Sequence, residues 1–218
     1  MKVNMAKAPG QIGFGIIGLG FGESRCAMVQ QVPEARLVAV ASRTEERARA
    51  TGVKFEVDWY TDYHRMLERN DLDVVAIYTP SGAHTEIVQA AARAGKHVLT
   101  TKPLEISLAR ADAIVDACRT AGVKLATEFA ARYTPANYAL YRAVHDGKAE
   151  MWTVANGENV PSVLIPSAIN VFQDVARWIQ DDRYTSATLA DGEDSRKTLA
   201  LVLALYESVR TGRTIGLG

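Results

Sequence analysis

The stretch Gln11 to Gly22, QIGFGIIGLGFG, constrains this chain more than any other. Ile16 and Ile17 close a short apolar run, and Gly18-Leu19-Gly20-Phe21-Gly22 breaks it. ESRCAMVQQV comes next, with Ala27, Met28 and Val32 at helical spacing. A strand, a glycine turn and a helix in that order open a dinucleotide-binding fold. Glycine permits a tight turn and lets backbone N–H groups approach a pyrophosphate, and the helix start adds partial positive charge. The third glycine of G-x-G-x-x-G would fall at Glu23, and Gly22 stands one place early.

Beyond Gly22 the chain alternates strand and helix. Leu37 to Ala41 reads as a buried strand, and Trp59 to Asn70 as a loop and short helix with Met66 and Leu67 inward. Asp73 to Thr79 is nearly all apolar, as in a parallel strand covered on both faces. Thr79-Pro80-Ser81-Gly82-Ala83-His84 turns sharply into a helix ending near Gly95. Lys96 to Thr101 is the next strand, stopped by Lys102-Pro103. Ser107 caps a helix through Ala121 with Gly122 as its stop, Val123 to Phe129 is a further strand, and Pro135 to His145 another helix. The fold class is α/β, a doubly wound parallel sheet of the Rossmann type, over residues 1–147. Residues 148–218 form a shortened, mainly helical C-terminal appendage. In it Met151 to Ala155 is strand-like and Ser162 to Pro166 irregular. Ile169, Phe172, Val175, Ala176 and Ile179 mark one helix. Acids at Asp191 to Asp194 start a second, whose buried stripe is Leu199, Val202, Leu203, Tyr206 and Val209.

The first candidate site residues are placed by the turn. Ser42-Arg43 ends the second strand about 20 residues after the glycines, where the adenosine ribose is met. A carboxylate there would favour NAD. A hydroxyl and a guanidinium suit a 2′-phosphate, which Arg43 and, one helical turn on, Arg47 could pair. NADP is therefore the preferred cofactor, with NAD the alternative.

With 25 basic and 25 acidic residues the formal charge is zero, which argues against nucleic acid or a membrane surface as main partner. No metal site is read. Two cysteines, Cys26 and Cys118, suit a reducing compartment and read as buried small apolar residues. No run spans a bilayer and no leader is read at the start, so a soluble cytoplasmic protein is expected.

GIIGLGFG, VAVASRTEERA, DVVAIYTPSGAHTEIVQAAARAGKHVLTTKPLEIS and GEDSRKTLALVLALYESVRTGRTIGL together resemble the Gfo/Idh/MocA family of NAD(P)-dependent oxidoreductases, which act on sugars, cyclitols and related polyols. The long middle piece is the most specific. The resemblance implies that Gly18, Gly20, Phe21 and Gly22 hold the pyrophosphate and that Ser42 and Arg43 face the adenosine ribose. It implies that Thr79, Pro80 and His84 lie along the nicotinamide half. Lys102 matches the lysine of the family's E-K-P motif, which contacts the nicotinamide ribose and relays a proton at the substrate hydroxyl. Two departures stand out. Thr101 replaces the glutamate of E-K-P. The D-x-x-x-H element of the family's second domain is not found: Asp174 to Trp178 has the spacing but ends in an indole. Two functions therefore stay open, an oxidoreductase and a non-catalytic dinucleotide-binding module. Apolar stripes around Phe172 and Leu203 favour a homodimer.

Overall fold

The computed structural model describes residues 10–134, 136–139, 142, 170–186 and 188–216. Among the described residues seven strands form one sheet in the order β3-β2-β1-β4-β5-β6-β7. They are β1 (Ile12–Ile17), β2 (Ala35–Ala41), β3 (Asp58–Tyr60), β4 (Val74–Ile77), β5 (His97–Thr101), β6 (Leu125–Glu128) and β7 (Ala190–Asp191). The first six run parallel, and β7 joins β6 antiparallel. From β1 the chain winds outward through β2 on one side and β4 on the other. That reversal opens a crevice beyond the carboxyl ends of these strands, where ligands bind in open α/β sheets.

The helices are α1 (Glu23–Gln30), α2 (Glu45–Phe55), α3 (Tyr63–Leu67), α4 (His84–Arg93), α5 (Leu108–Ala121), α6 (Val171–Gln180) and α7 (Gly192–Thr211). The inner strands β1 and β4 are buried along their whole length, so both faces of the sheet must be covered. On one face Cys26 and Val29 of α1 and Phe172, Val175 and Ala176 of α6 close over Phe14, Ile16 and Val74. Phe172 meets Phe14 edge-on with ring centroids 5.4 Å apart. Burying one such ring contributes about 1.5–3 kcal/mol. On the other face α4, α5 and Leu199 of α7 cover Val75, Ile77 and Val98.

Local chemistry sets the ends of these elements. Ser107 caps α5 by accepting from Arg110 N, and Gly122 stops it in the left-handed region, as its sequence predicts. Asn170 caps α6 and also donates to the Met28 carbonyl at 2.9 Å, which fastens α6 to α1. Asp191 caps α7 by accepting from Asp194 N.

Several sequence expectations need correction. The helix after the glycine turn forms, Met28 packs partly on the core and Val32 is buried just beyond it, but Ala27 is exposed, and Cys26 and Val29 are the fully buried residues of α1. The α7 stripe is not buried: Leu199 is, but Val202, Tyr206 and Val209 are exposed. Leu203 still packs partly against the core beside α5, and the exposed members of the stripe lie on turns that carry Val202, Tyr206 and Val209 away from it. The short strands β3 and β7 are additions to the elements expected from sequence. Of the expected helix Pro135 to His145 only residues 136–139 and 142 are described. The expected strand Met151 to Ala155 and the Ser162 to Pro166 segment lie outside the described residues.

Candidate active site at the carboxyl ends of the strands

The crevice begins at the glycine turn. Gly18 comes just after β1 with φ +92°, a backbone shape other residues rarely take. A Cβ on Gly18 would also lie 2.6 Å from the Tyr78 carbonyl carbon, so glycine is required here for the fold. Gly22 is equally structural, since a Cβ would stand 2.6 Å from the Gly18 oxygen and 2.8 Å from Ile16 Cγ2. Gly20 differs. It is exposed, and the nearest atom to a Cβ there is Arg47 Nη1 at 3.7 Å. The fold does not need glycine at residue 20, but a ligand lying close over the backbone would. No side chain caps the start of α1, so that end of the helix carries no competing side-chain acceptor.

Around this turn the structure gathers the adenosine-side candidates. Ser42 and Arg43 continue from β2, paired beside β1, and the Ser42 N–H is spent on the Tyr60 carbonyl at 3.0 Å. The Ser42 hydroxyl accepts from Thr44 N at 3.3 Å. Arg43 and Arg47 are both exposed, and Arg47 reaches toward Gly20. Thr79 stands just past β4, adjacent to Gly18. Its hydroxyl is buried and has no hydrogen-bond partner in the protein. An orphan buried hydroxyl is costly unless something supplies a partner. The cradle at Gly20, the uncapped helix and the orphan Thr79 hydroxyl all fit a phosphate-containing dinucleotide laid along the crevice.

At the other end stands the segment Thr101 to Glu105 after β5. Lys102 and Pro103 are exposed and joined by a cis peptide bond. Beneath them the loop is tied down. His84 is fully buried, with Nδ1 at 2.9 Å from the Leu104 carbonyl and Nε2 at 3.1 Å from the Thr79 carbonyl. Its ring therefore braces the Lys102 loop against the Thr79-Pro80 turn, with both nitrogens turned to backbone. Glu105 is also fully buried and accepts from Thr85 N, Thr85 Oγ1, Ile106 N and Arg110. Burial alone would raise the Glu105 carboxyl, but Arg110 and those donors hold it below the usual carboxylate range. Pro80 is exposed at the lip of the crevice and opens a 3-10 turn, Ser81–Ala83.

Three further groups in this region, Glu128, Tyr78 and Arg25, carry no sequence pattern that marks them as a unit. Glu128, the last residue of β6, pairs in register with Thr101 and is buried. It accepts from Tyr78 Oη at 2.7 Å and binds Arg25 of α1 through two contacts, at 2.9 and 3.3 Å. The one sequence signal is a lone acid closing an otherwise buried strand, LATE. Its partners lie on α1 and beside β4, so local spacing does not reveal them.

Asp174, which has the spacing but not the histidine of D-x-x-x-H, is taken up by hydroxyl groups. It is fully buried in α6 and accepts from Tyr133, Tyr184, Ser186 and Thr188 hydroxyls at 3.0, 2.7, 2.6 and 2.8 Å. That is a packed structural network. His145 lies outside the described residues. Cys26 and Cys118 are buried, free and unpaired with each other, and burial pushes both thiols up to about 12. Among the described residues no cluster of three metal-ligating side chains occurs, and no helix is long and apolar enough to cross a membrane.

Known proteins share this fold. The model of an oxidoreductase family with an NAD-binding Rossmann fold, Gfo/Idh/MocA, matches residues 12–129. The chain is 37% identical over 134 residues to D-apiose dehydrogenase of Paraburkholderia graminis, covering 61% of this chain and 36% of that protein. It is 39% identical over 124 residues to D-xylose 1-dehydrogenase (NADP(+)) 2 of Haloferax volcanii, covering 56% and 38%. It thus spans well under half the length of either dehydrogenase. The aldose-aldose oxidoreductase of Caulobacter crescentus shares the fold, with a TM-score of 0.79 at 18% identity over 95% of this chain and 100% of that one.

Proposed function

Because the chain belongs to the Gfo/Idh/MocA oxidoreductase family, we propose that it transfers a hydride between a nicotinamide dinucleotide and a sugar, cyclitol or related polyol. The observation that carries this reading is the shared crevice. A glycine turn that leaves room only over Gly20, an orphan buried hydroxyl at Thr79 and an exposed Lys102 all stand at the carboxyl ends of one parallel sheet. When bound, the cofactor supplies the hydride chemistry. The protein's own residues do the rest. Gly20, Phe21 and the start of α1 receive the pyrophosphate, while Gly18 and Gly22 shape the turn. Ser42, Arg43 and Arg47 receive the adenosine ribose, and the absence of a carboxylate there supports NADP over NAD. Thr79 and Pro80 border the nicotinamide half. Lys102 holds and moves the proton of the substrate hydroxyl, helped by its exposure and by the braced loop beneath it. His84 serves that loop as a brace rather than as a ligand.

A second reading, a dinucleotide-binding module without turnover, is favoured by one observation. The carboxylate of Asp174 is consumed by four hydroxyls, and among the described residues no Asp–His pair accompanies Lys102. A panel of aldoses and cyclitols with NADP+ separates the two readings. Sugar-dependent growth of reduced-nicotinamide absorbance supports the oxidoreductase, and cofactor binding without turnover supports the module.

The reading extends to a homodimer working in a reducing cytoplasm. Exposed Leu201, Val202, Leu205, Tyr206 and Val209 on α7 support self-association. The two unpaired buried thiols suit the compartment. A molar mass equal to one chain in light scattering at all concentrations would remove the dimer.

A further inference from the structure

Phe21 is the exposed tip of the glycine turn, 52% accessible, yet it does not hang free. The Arg25 guanidinium lies over its ring, 4.3 Å from the centroid, and the Tyr78 ring stands 5.8 Å away. Arg25 in turn is gripped at two points by Glu128, which also receives the Tyr78 hydroxyl. Arg25 and Glu128 side chains keep only 14% and 3% of their surface in water. A chain of contacts therefore runs from the turn after β1, through α1, to the end of β6, spanning the crevice beside Thr101.

We propose that Arg25 and Glu128 are positioning residues for the pyrophosphate, holding Phe21 and the glycine turn in the shape that receives it. This rests on the dinucleotide reading given above. A buried ion pair contributes little net stability, since the cost of desolvating two charges offsets their attraction. What a two-point guanidinium–carboxylate contact does supply is direction, because the planar fork fits a carboxylate in one orientation. Here that direction lays the guanidinium against the Phe21 ring, where cation–π attraction fixes it. Gly20 and Gly22 flank Phe21, so fixing the ring limits where the turn's backbone N–H groups point. Without Glu128 the guanidinium loses its buried partner and swings to water, and the turn samples shapes in which those groups no longer converge. Tyr78 supports the carboxylate as a donor. Burial, and then Glu128 itself, push its phenol well up, so it stays protonated.

Three probes separate positioning from general stability: NADPH, ADP-ribose, which keeps the pyrophosphate, and adenosine 2′-phosphate, which lacks it. Glu128→Gln and Arg25→Met are each expected to weaken NADPH and ADP-ribose about tenfold, and the double variant no further, as for two residues acting as one unit. Adenosine 2′-phosphate should bind all variants as it binds the wild type. Arg25→Lys keeps the charge but loses the fork, and should fall between wild type and Arg25→Met, which tests the idea even if a harsher variant unfolds. Equal losses on all three probes, losses that multiply in the double variant, or unchanged NADPH affinity would overturn the proposal while leaving the dinucleotide reading intact. A wild-type protein that binds none of the probes would overturn both.

Discussion

At the glycine-turn end of the crevice, Gly20, Phe21, Arg43 and Arg47 are all exposed, and the Thr79 hydroxyl lies buried without a partner. At the lysine end the polar groups are already engaged. His84 turns both nitrogens to backbone carbonyls and Glu105 accepts from three residues, which leaves Lys102 as the exposed one. The first end keeps two exposed guanidinium groups and one buried hydroxyl without a partner. The second is a rigid mount for a single amine. On the function proposed above, binding falls to the first end and chemistry to the second, and substitutions at the two ends should divide between affinity and turnover.

The largest effect belongs to the lysine end. Lys102→Ala should lower turnover by about 10²–10⁴-fold, the range of one general acid–base group, while NADPH affinity changes little. Steady-state rates alongside a binding titration check this. An equal loss in affinity would blur the division between the ends.

Next comes Arg43→Ala. Losing one charge-assisted contact to a 2′-phosphate should weaken NADPH by about tenfold and leave NADH unchanged. Calorimetry with both cofactors decides it. Equal affinities that ignore the substitution would place the adenosine ribose elsewhere.

The smallest effect lies far from the crevice and serves as a control. His97 starts β5 at the opposite end of the sheet, and its Nδ1 accepts from Lys124 N at 2.9 Å. Burial and the nearby Lys124 ammonium hold its imidazole below the ordinary value. The unfolded chain therefore takes up this proton more readily than the folded one. The stabilising contribution is full above the unfolded value of about 6.5 and is lost as pH falls through it toward the folded value. Urea unfolding from about pH 7 to 5 should show stability falling, with a shallower slope in His97→Asn. NADPH affinity per folded molecule should not change in that variant.

Much of the fold is legible in the sequence, for identifiable reasons. Ser107 and Gly122 mark the ends of α5 because capping is a local contest among backbone groups, decided within a few residues. β1 and β4 announce themselves as apolar runs because both faces of the sheet are covered. The misses share a cause. β3 and β7 span three and two residues, and pairing with a neighbour, not a pattern of their own, makes them strands. The apolar spacing in α7 is real, but spacing does not say whether anything lies opposite, and for Tyr206 and Val209 nothing in the described residues does. In the crevice, Gly18, Gly20 and Lys102 are legible as a motif. The Arg25–Glu128–Tyr78 contact is not, because its members come from α1, β6 and the end of β4 and meet only when the sheet is assembled.

The division between the two ends depends on Gly20 being glycine for a ligand and Gly18 for the fold. Titration of NADPH by its fluorescence onto the wild type and Gly20→Val, with thermal unfolding of each, decides whether this is so. The Cβ site at Gly20 is open, so the variant should unfold within about 2–4 °C of the wild type, the shift of no more than about 1 kcal/mol in a chain of this size. Its NADPH affinity should fall by at least about 100-fold, because the valine fills the space over the turn that the pyrophosphate needs. A folded Gly20→Val that binds NADPH as the wild type does would show that the glycine turn is not the cofactor's seat.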